Sequence, residues 1–127
     1  MTDSLLNKYT RPMTEPDDPQ FETEDLGSFG WLRGMRERSV MLELRKKDGN
    51  ISAIPYALIE KLEFDPSVGI TIHALGQKIC IQGRNLNIEV RLSVQLFHGL
   101  TRHRVPWIQE SEELNSGASM SIERIGW

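Results

Sequence analysis

Between Val40 and Gln82 several short stretches place apolar residues at every second position, and turn-forming residues separate them. Period two is the spacing of a β-strand with one buried face, so this stretch can bury its apolar side chains only as short strands. Val40, Leu42 and Leu44 share one face, with Met41, Glu43 and Arg45 on the other. Asp48-Gly49 follows, a dipeptide that tolerates positive φ at both positions and closes hairpins. Read as a two-residue turn, it sets Leu44 opposite Ala53 and Leu42 opposite Pro55, which turns Ile54 outward. Pro55 stops the second strand. A third runs from Ile59 to Phe64 with Leu62 and Phe64 inward.

Asp65-Pro66-Ser67-Val68-Gly69 is turn chemistry, with proline presetting φ and glycine allowing the return. A fourth strand covers Ile70 to Leu75. Gly76-Gln77 as a tight turn into Lys78–Gln82 then pairs Ile72 with Ile81 and Ala74 with Ile79 inside, and Thr71 with Gln82 and His73 with Cys80 outside. Turn chemistry and inward pattern agree. After Gly83-Arg84-Asn85, apolar residues at 86, 88, 90, 92, 94 and 96 alternate as in a strand. From Leu92 the spacing of Leu92, Leu96, Phe97 and Leu100 also makes a helical face. The reading is an extended segment over 86–91 and a helix over about 92–104, ended by Val105-Pro106. The expected fold is therefore α+β: a small, mainly antiparallel β-meander of about five strands, capped by one C-terminal helix.

The chain's 127 residues suffice for one domain, and the pattern assigns it to residues 28–108. Phe29, Trp31 and Leu32, in a glycine-rich stretch, would pack on its core as a strap. Residues 1–27 hold Pro12, Pro16 and Pro19 among scattered acids and read as a disordered acidic tail. Residues 109–127 read as an acidic, Ser/Gly-rich tail in which Met120, Ile122, Ile125 and Trp127 are stray apolar positions. Met1–Pro12 lacks the apolar core of a secretion signal, and the chain has no apolar run of membrane-spanning length. One cysteine, Cys80, leaves no partner for an intrachain disulfide. The expected location is cytoplasmic, away from membranes.

The net charge of −3 is unevenly spread. Residues 1–27 carry seven acids against Lys8 and Arg11, a net −5. Residues 28–104 carry twelve Lys or Arg against seven acids, a net +5, and residues 105–127 four Glu against Arg124, a net −3. The basic clusters of the middle are Arg33, Arg36 and Arg38, then Arg45, Lys46 and Lys47, then Arg84, and finally Arg102 and Arg104. They are candidate contacts to nucleic acid or another polyanion, with Trp31, Tyr56 or Trp107 available to stack bases.

Catalytic and cofactor chemistry have little to stand on. His73 opposite Cys80 is the one pairing that would activate a thiol, yet no third residue orients the histidine, and Cys80 between Ile79 and Ile81 reads as a structural, unreactive side chain. His98 and His103, five residues apart on a helix, point about 140° apart and do not converge on a metal. Asn50-Ile51-Ser52 departs at Pro55 from the Asn/Asp-x-Ser-x-x-Gly pattern of cyclic-dinucleotide-binding PilZ domains. No cofactor is expected.

The leading expectation is a non-catalytic module for protein interaction or self-association, a homodimer or the subunit of a protein partner. Met41, Ile54, Ile59 and Leu75, outside the inward set, form the expected oligomer face. Polyanion binding through the basic clusters is the alternative, and a thiol enzyme using Cys80 and His73 the weaker one.

Overall fold

The computed structural model describes residues 23–111 and 120–127. Along the chain run β1 (Thr23–Asp25), β2 (Gly30–Leu32), β3 (Met41–Arg45), β4 (Ile51–Pro55), a 3₁₀ turn (Tyr56–Leu58), β5 (Ile59–Asp65), β6 (Gly69–Ala74), β7 (Gln77–Arg84), α1 (Leu96–Thr101), β8 (Trp107–Gln109) and β9 (Ser121–Gly126). The fold is mainly antiparallel β with little helix, but it is not one five-stranded meander. Strands β1 and β2 pair alone, β4-β3-β8 form a second sheet, and β5-β6-β7-β9 form a third. Every strand pair is antiparallel except β3 with β8.

The first hairpin differs from expectation by one residue. Gly49 N–H donates to Lys46 O and Lys46 N–H to Asn50 O, and Gly49 takes φ +96. The loop is thus three residues long with glycine in the left-handed bulge position, rather than a two-residue Asp-Gly turn. Leu42 consequently faces Ile54, and Leu44 faces Ser52. A one-residue slip exchanges the faces of a strand, so Ile54 enters the core and Ala53 points to solvent. The β6–β7 hairpin slips by two instead. Its turn is Leu75-Gly76, with φ +56 and +75, which pairs Ile72 with Ile79 and Ile70 with Ile81. An even slip keeps the faces, and the expected inward set survives.

The largest departures lie toward the C-terminus. Helix α1 spans only six residues, because Ser93 (φ +66) and the Arg91–Val94 bridge make a turn where the helix was expected to begin. Leu92 is accordingly exposed. Strand β8 then runs parallel to β3, pairing Leu44 with Ile108. Strand β9, in the stretch expected as a tail, pairs along β7 and completes the third sheet. Ile122 and Ile125, three residues apart, both reach the core because the pairing shifts between Gln82 and Gly83. Of the expected tails, residues 1–22 and 112–119 lie outside the described residues.

One hydrophobic cluster joins the sheets. It takes Leu42 and Leu44 from β3, Ile70 and Ile72 from β6, Ile122 and Ile125 from β9, and Leu96 and Leu100 from α1. Phe29 and Trp31 are buried with them, as expected of the strap. Gly99 lets α1 approach this cluster closely: a Cβ there would meet the Trp31 ring at 2.4 Å. No helix among the described residues is long and apolar enough to cross a membrane.

Candidate interaction surfaces

Six residues, Arg33 to Arg38, leave the sheet as one loop. Leu32 N–H donates to Arg104 O where the loop departs, and Ser39 N–H donates to His103 O where it returns. The loop closes around the Arg104 guanidinium, which donates to the carbonyls of Leu32, Gly34 and Glu37 and lies 5.6 Å from the Trp31 ring centroid. Within the loop Glu37 N–H donates to Gly34 O. Glu37 turns its carboxylate toward Gly34, with Oε1 buried, while Arg33, Arg36 and Arg38 are exposed. Met35, at the loop's outer turn, is 89% exposed. Arg102, at the end of α1, is exposed beside the anchoring His103.

The candidate basic residues therefore separate by role. Arg104 is a half-buried clamp that sets the loop's shape. Replacing it with methionine leaves three carbonyls without their charged donor and should cost about 2–3 kcal/mol. Urea unfolding checks the stability, and amide exchange at Glu37 should quicken. Arg45 pairs with Glu43 at 2.8 Å and sits over the Trp107 ring. Lys46 lies 4.0 Å from the Trp127 ring centroid, and Arg84 pairs with Glu123 at 3.8 Å. Lys47 is exposed in the hairpin loop, where its N–H donates to Glu110. Arg33, Arg36 and Arg38 share this one exposed loop, and Arg102 is exposed in the segment that anchors it. The expected stacking rings are engaged elsewhere. Trp31 is in the core. Tyr56 is buried, stacks on His103 at 4.4 Å and donates its hydroxyl to Val105 O at 2.7 Å; burial pushes its pKa well up.

The four positions expected to form an oligomer face do not share one. Ile54 is in the core and Ile59 packs against it. Met41 lies on the outer face of β3, and Leu75 projects from the β6–β7 turn. The β6–β7 slip also separates the expected His73–Cys80 pair. Cys80, half-buried, faces Thr71 and Gly126, while His73 faces Lys78 and Lys61. His73 Nε2 meets Glu63 Oε1 at 2.7 Å. That contact, with Lys61 also beside it, holds the Glu63 carboxyl below its usual range. His98 bonds Gln95 at 2.8 Å, and no three His, Cys, Asp or Glu gather as metal ligands among the described residues. A cleft of about 590 Å³ opens between the β5–β6 turn and the end of β7, walled by Phe64, Val68, Gln82, Asn87, Ile88 and Glu123. Among the described residues Glu123 is the one ionisable group lining it, and Arg84 pairs with that carboxylate.

Strand edges give a second kind of surface, which the sequence reading left undivided. At β9, Ile122 N–H donates to Ser111 Oγ and Ile125 N–H to Glu110. At β8, Gln109 N–H donates to Ser28 O. The free edge of β5 carries a bulge and the charges Glu60, Lys61, Glu63 and Asp65, devices that discourage further pairing. Strand β4 is different. Among the described residues it pairs with β3 alone, and it has no charged residue, Pro55 at its end being its one such device. Lys46 N–H to Asn50 O and Tyr56 N–H to Val40 O fix the alternation of the β3–β4 ladder. Ser52 and Ile54 thus bond toward β3, and the backbone groups of Ile51, Ala53 and Pro55 face outward. Ile51 is 59% exposed, and Val40, Met41 and Leu58 are exposed near the other end of the strand.

Comparison of the chain with protein-family models, with curated proteins and with solved structures finds no match in any of the three.

Proposed function

We propose that the protein is a non-catalytic interaction module that self-associates, two copies joining antiparallel along β4. The observation that carries this reading is the complementarity of the β4 edge to itself. Its outward groups are the N–H of Ile51 and Ala53 and the C=O of Ile51, Ala53 and Pro55. With the two-fold axis at Ala53, the Ala53 residues exchange two hydrogen bonds, and each Ile51 N–H meets the second lone pair of a Pro55 carbonyl of the other copy, the first being used at the start of the 3₁₀ turn. Every outward donor is then paired, while each Ile51 carbonyl, opposite a proline with no N–H, is left to water. The uncharged strand brings no like charges together, and the exposed Val40, Met41 and Leu58 add apolar area beside it. A five-residue edge buries little, so the association is weak and concentration-dependent.

Light scattering over a dilution series tests it. The wild-type mass should rise from 14.6 kDa toward twice that value as concentration increases. Ala53→Pro removes an outward N–H that has no partner among the described residues, and should give a folded protein that stays at the single-chain mass. A wild-type chain that remains at that mass throughout, or an Ala53→Pro protein that still doubles, overturns the reading.

A further inference from the structure

The arginine loop is a second surface, built from side-chain charge rather than backbone edge groups. We propose that residues 33–38, with Arg102, form a docking site for an acidic polypeptide segment that also carries apolar side chains. Three features lead there. The loop's shape is set from within by Arg104, whose guanidinium gathers the carbonyls of Leu32, Gly34 and Glu37, so the exposed arginines project from a supported backbone. A site preformed in this way loses less conformational entropy on binding. Second, the charge is arginine, whose planar fork matches carboxylates two bonds at a time. Glu37, the acid within the loop, turns toward Gly34 with Oε1 buried, while the three loop arginines are exposed.

The third feature separates a peptide from a nucleic acid. Met35 is 89% exposed at the loop's outer turn, and a flexible thioether among arginines is the composition of a protein-binding surface. Single-stranded nucleic acid would call for exposed aromatic platforms, whereas Trp31 and Tyr56, the rings near this loop, are buried. The site stands apart from the proposed β4 pairing in its groups and its readout, since peptide binding and chain mass are measured separately.

The test is fluorescence anisotropy with the full chain and three labelled probes: a peptide of Glu-Glu-Leu repeats, a Leu-free oligoglutamate of equal charge, and an oligothymidylate of similar length. The chain carries net −3, so overall charge repels all three, and binding reports the local patch. The Glu-Glu-Leu peptide should bind, more weakly as salt rises. Reversing the loop with Arg33→Glu, Arg36→Glu and Arg38→Glu should weaken it roughly tenfold or more. The triple lysine variant, which keeps the charge and loses the fork, should fall between the two. Met35→Ser should abolish the preference for the Leu-containing peptide over oligoglutamate. All substituted side chains are exposed, and circular dichroism checks that the fold persists. Tighter binding of the oligothymidylate through the same arginines, equal binding by wild type and the charge-reversed chain, or no peptide binding each overturns the proposal.

Discussion

Ile122→Ala is expected to destabilise the protein by about 3–4 kcal/mol, the cost of emptying a fully buried isoleucine site that cannot collapse. Ile122 is 0% exposed, and Ile125 on the same strand is 1% exposed. Both sit on β9, which pairs with β7 and closes one side of the largest sheet. In a chain of this size the melting temperature should fall by roughly 10–20 °C. Trp127→Ala supplies the contrast. That ring is 46% exposed and is engaged by Lys46, so its loss should cost no more than about 1 kcal/mol. Thermal unfolding followed by circular dichroism distinguishes the two. If residues 120–127 were a solvated tail, both substitutions would fall within about 0.5 kcal/mol of wild type; comparable small effects would refute the pairing of β9.

The reason β9 was illegible is the same irregularity that lets it pack. A strand buried on one face announces itself by period two, and Ile122 and Ile125 are three apart. The shift in pairing between Gln82 and Gly83 absorbs the extra residue, and the partner that makes sense of the spacing lies some forty residues earlier in the chain. Strand β8 was hidden for a related reason. Three residues paired in parallel with β3 and bridged to Phe29 have no local signature. The hairpins, by contrast, are local, and β6 and β7 emerged with the correct inward residues. Even there, turn chemistry fixed less than it promised. Asp-Gly closes either a two-residue turn or a three-residue loop with glycine in the bulge, and the choice decides whether Ala53 or Ile54 is buried.

The candidate surfaces follow the same division. Sequence patterning found the basic clusters, yet it could not tell a clamp from a contact. Arg104 and Arg36 look alike in sequence, and the carbonyl that fixes one of them lies seventy residues away. Arg45 over Trp107 and Lys46 over Trp127 are likewise long-range pairs. What remained visible was the density of arginine around Met35, because a six-residue loop is itself local. The expected apolar face dissolved once the β3–β4 register was known, since Ile54 belonged to it only under the slipped pairing.

Gly69→Ala should be the most damaging of the glycine substitutions in the hairpin turns, costing more than about 3 kcal/mol. Two separate penalties meet there. Gly69 adopts φ +123, where an L side chain is strained, and an added Cβ would stand 2.2 Å from the carbonyl oxygen of Ile81. That oxygen belongs to the backbone of β7, the strand paired to β6, so it cannot swing aside without breaking the ladder between Ile70 and Ile81. Gly49 isolates the first penalty. Its φ is +96 and its Cβ position is open, with nothing within 4 Å, so Gly49→Ala should cost only about 1–2 kcal/mol of backbone strain. Urea titrations of the two variants measure the difference directly. A cost at Gly69 no larger than at Gly49 would mean that β6 and β7 do not approach as closely at this corner as their register requires.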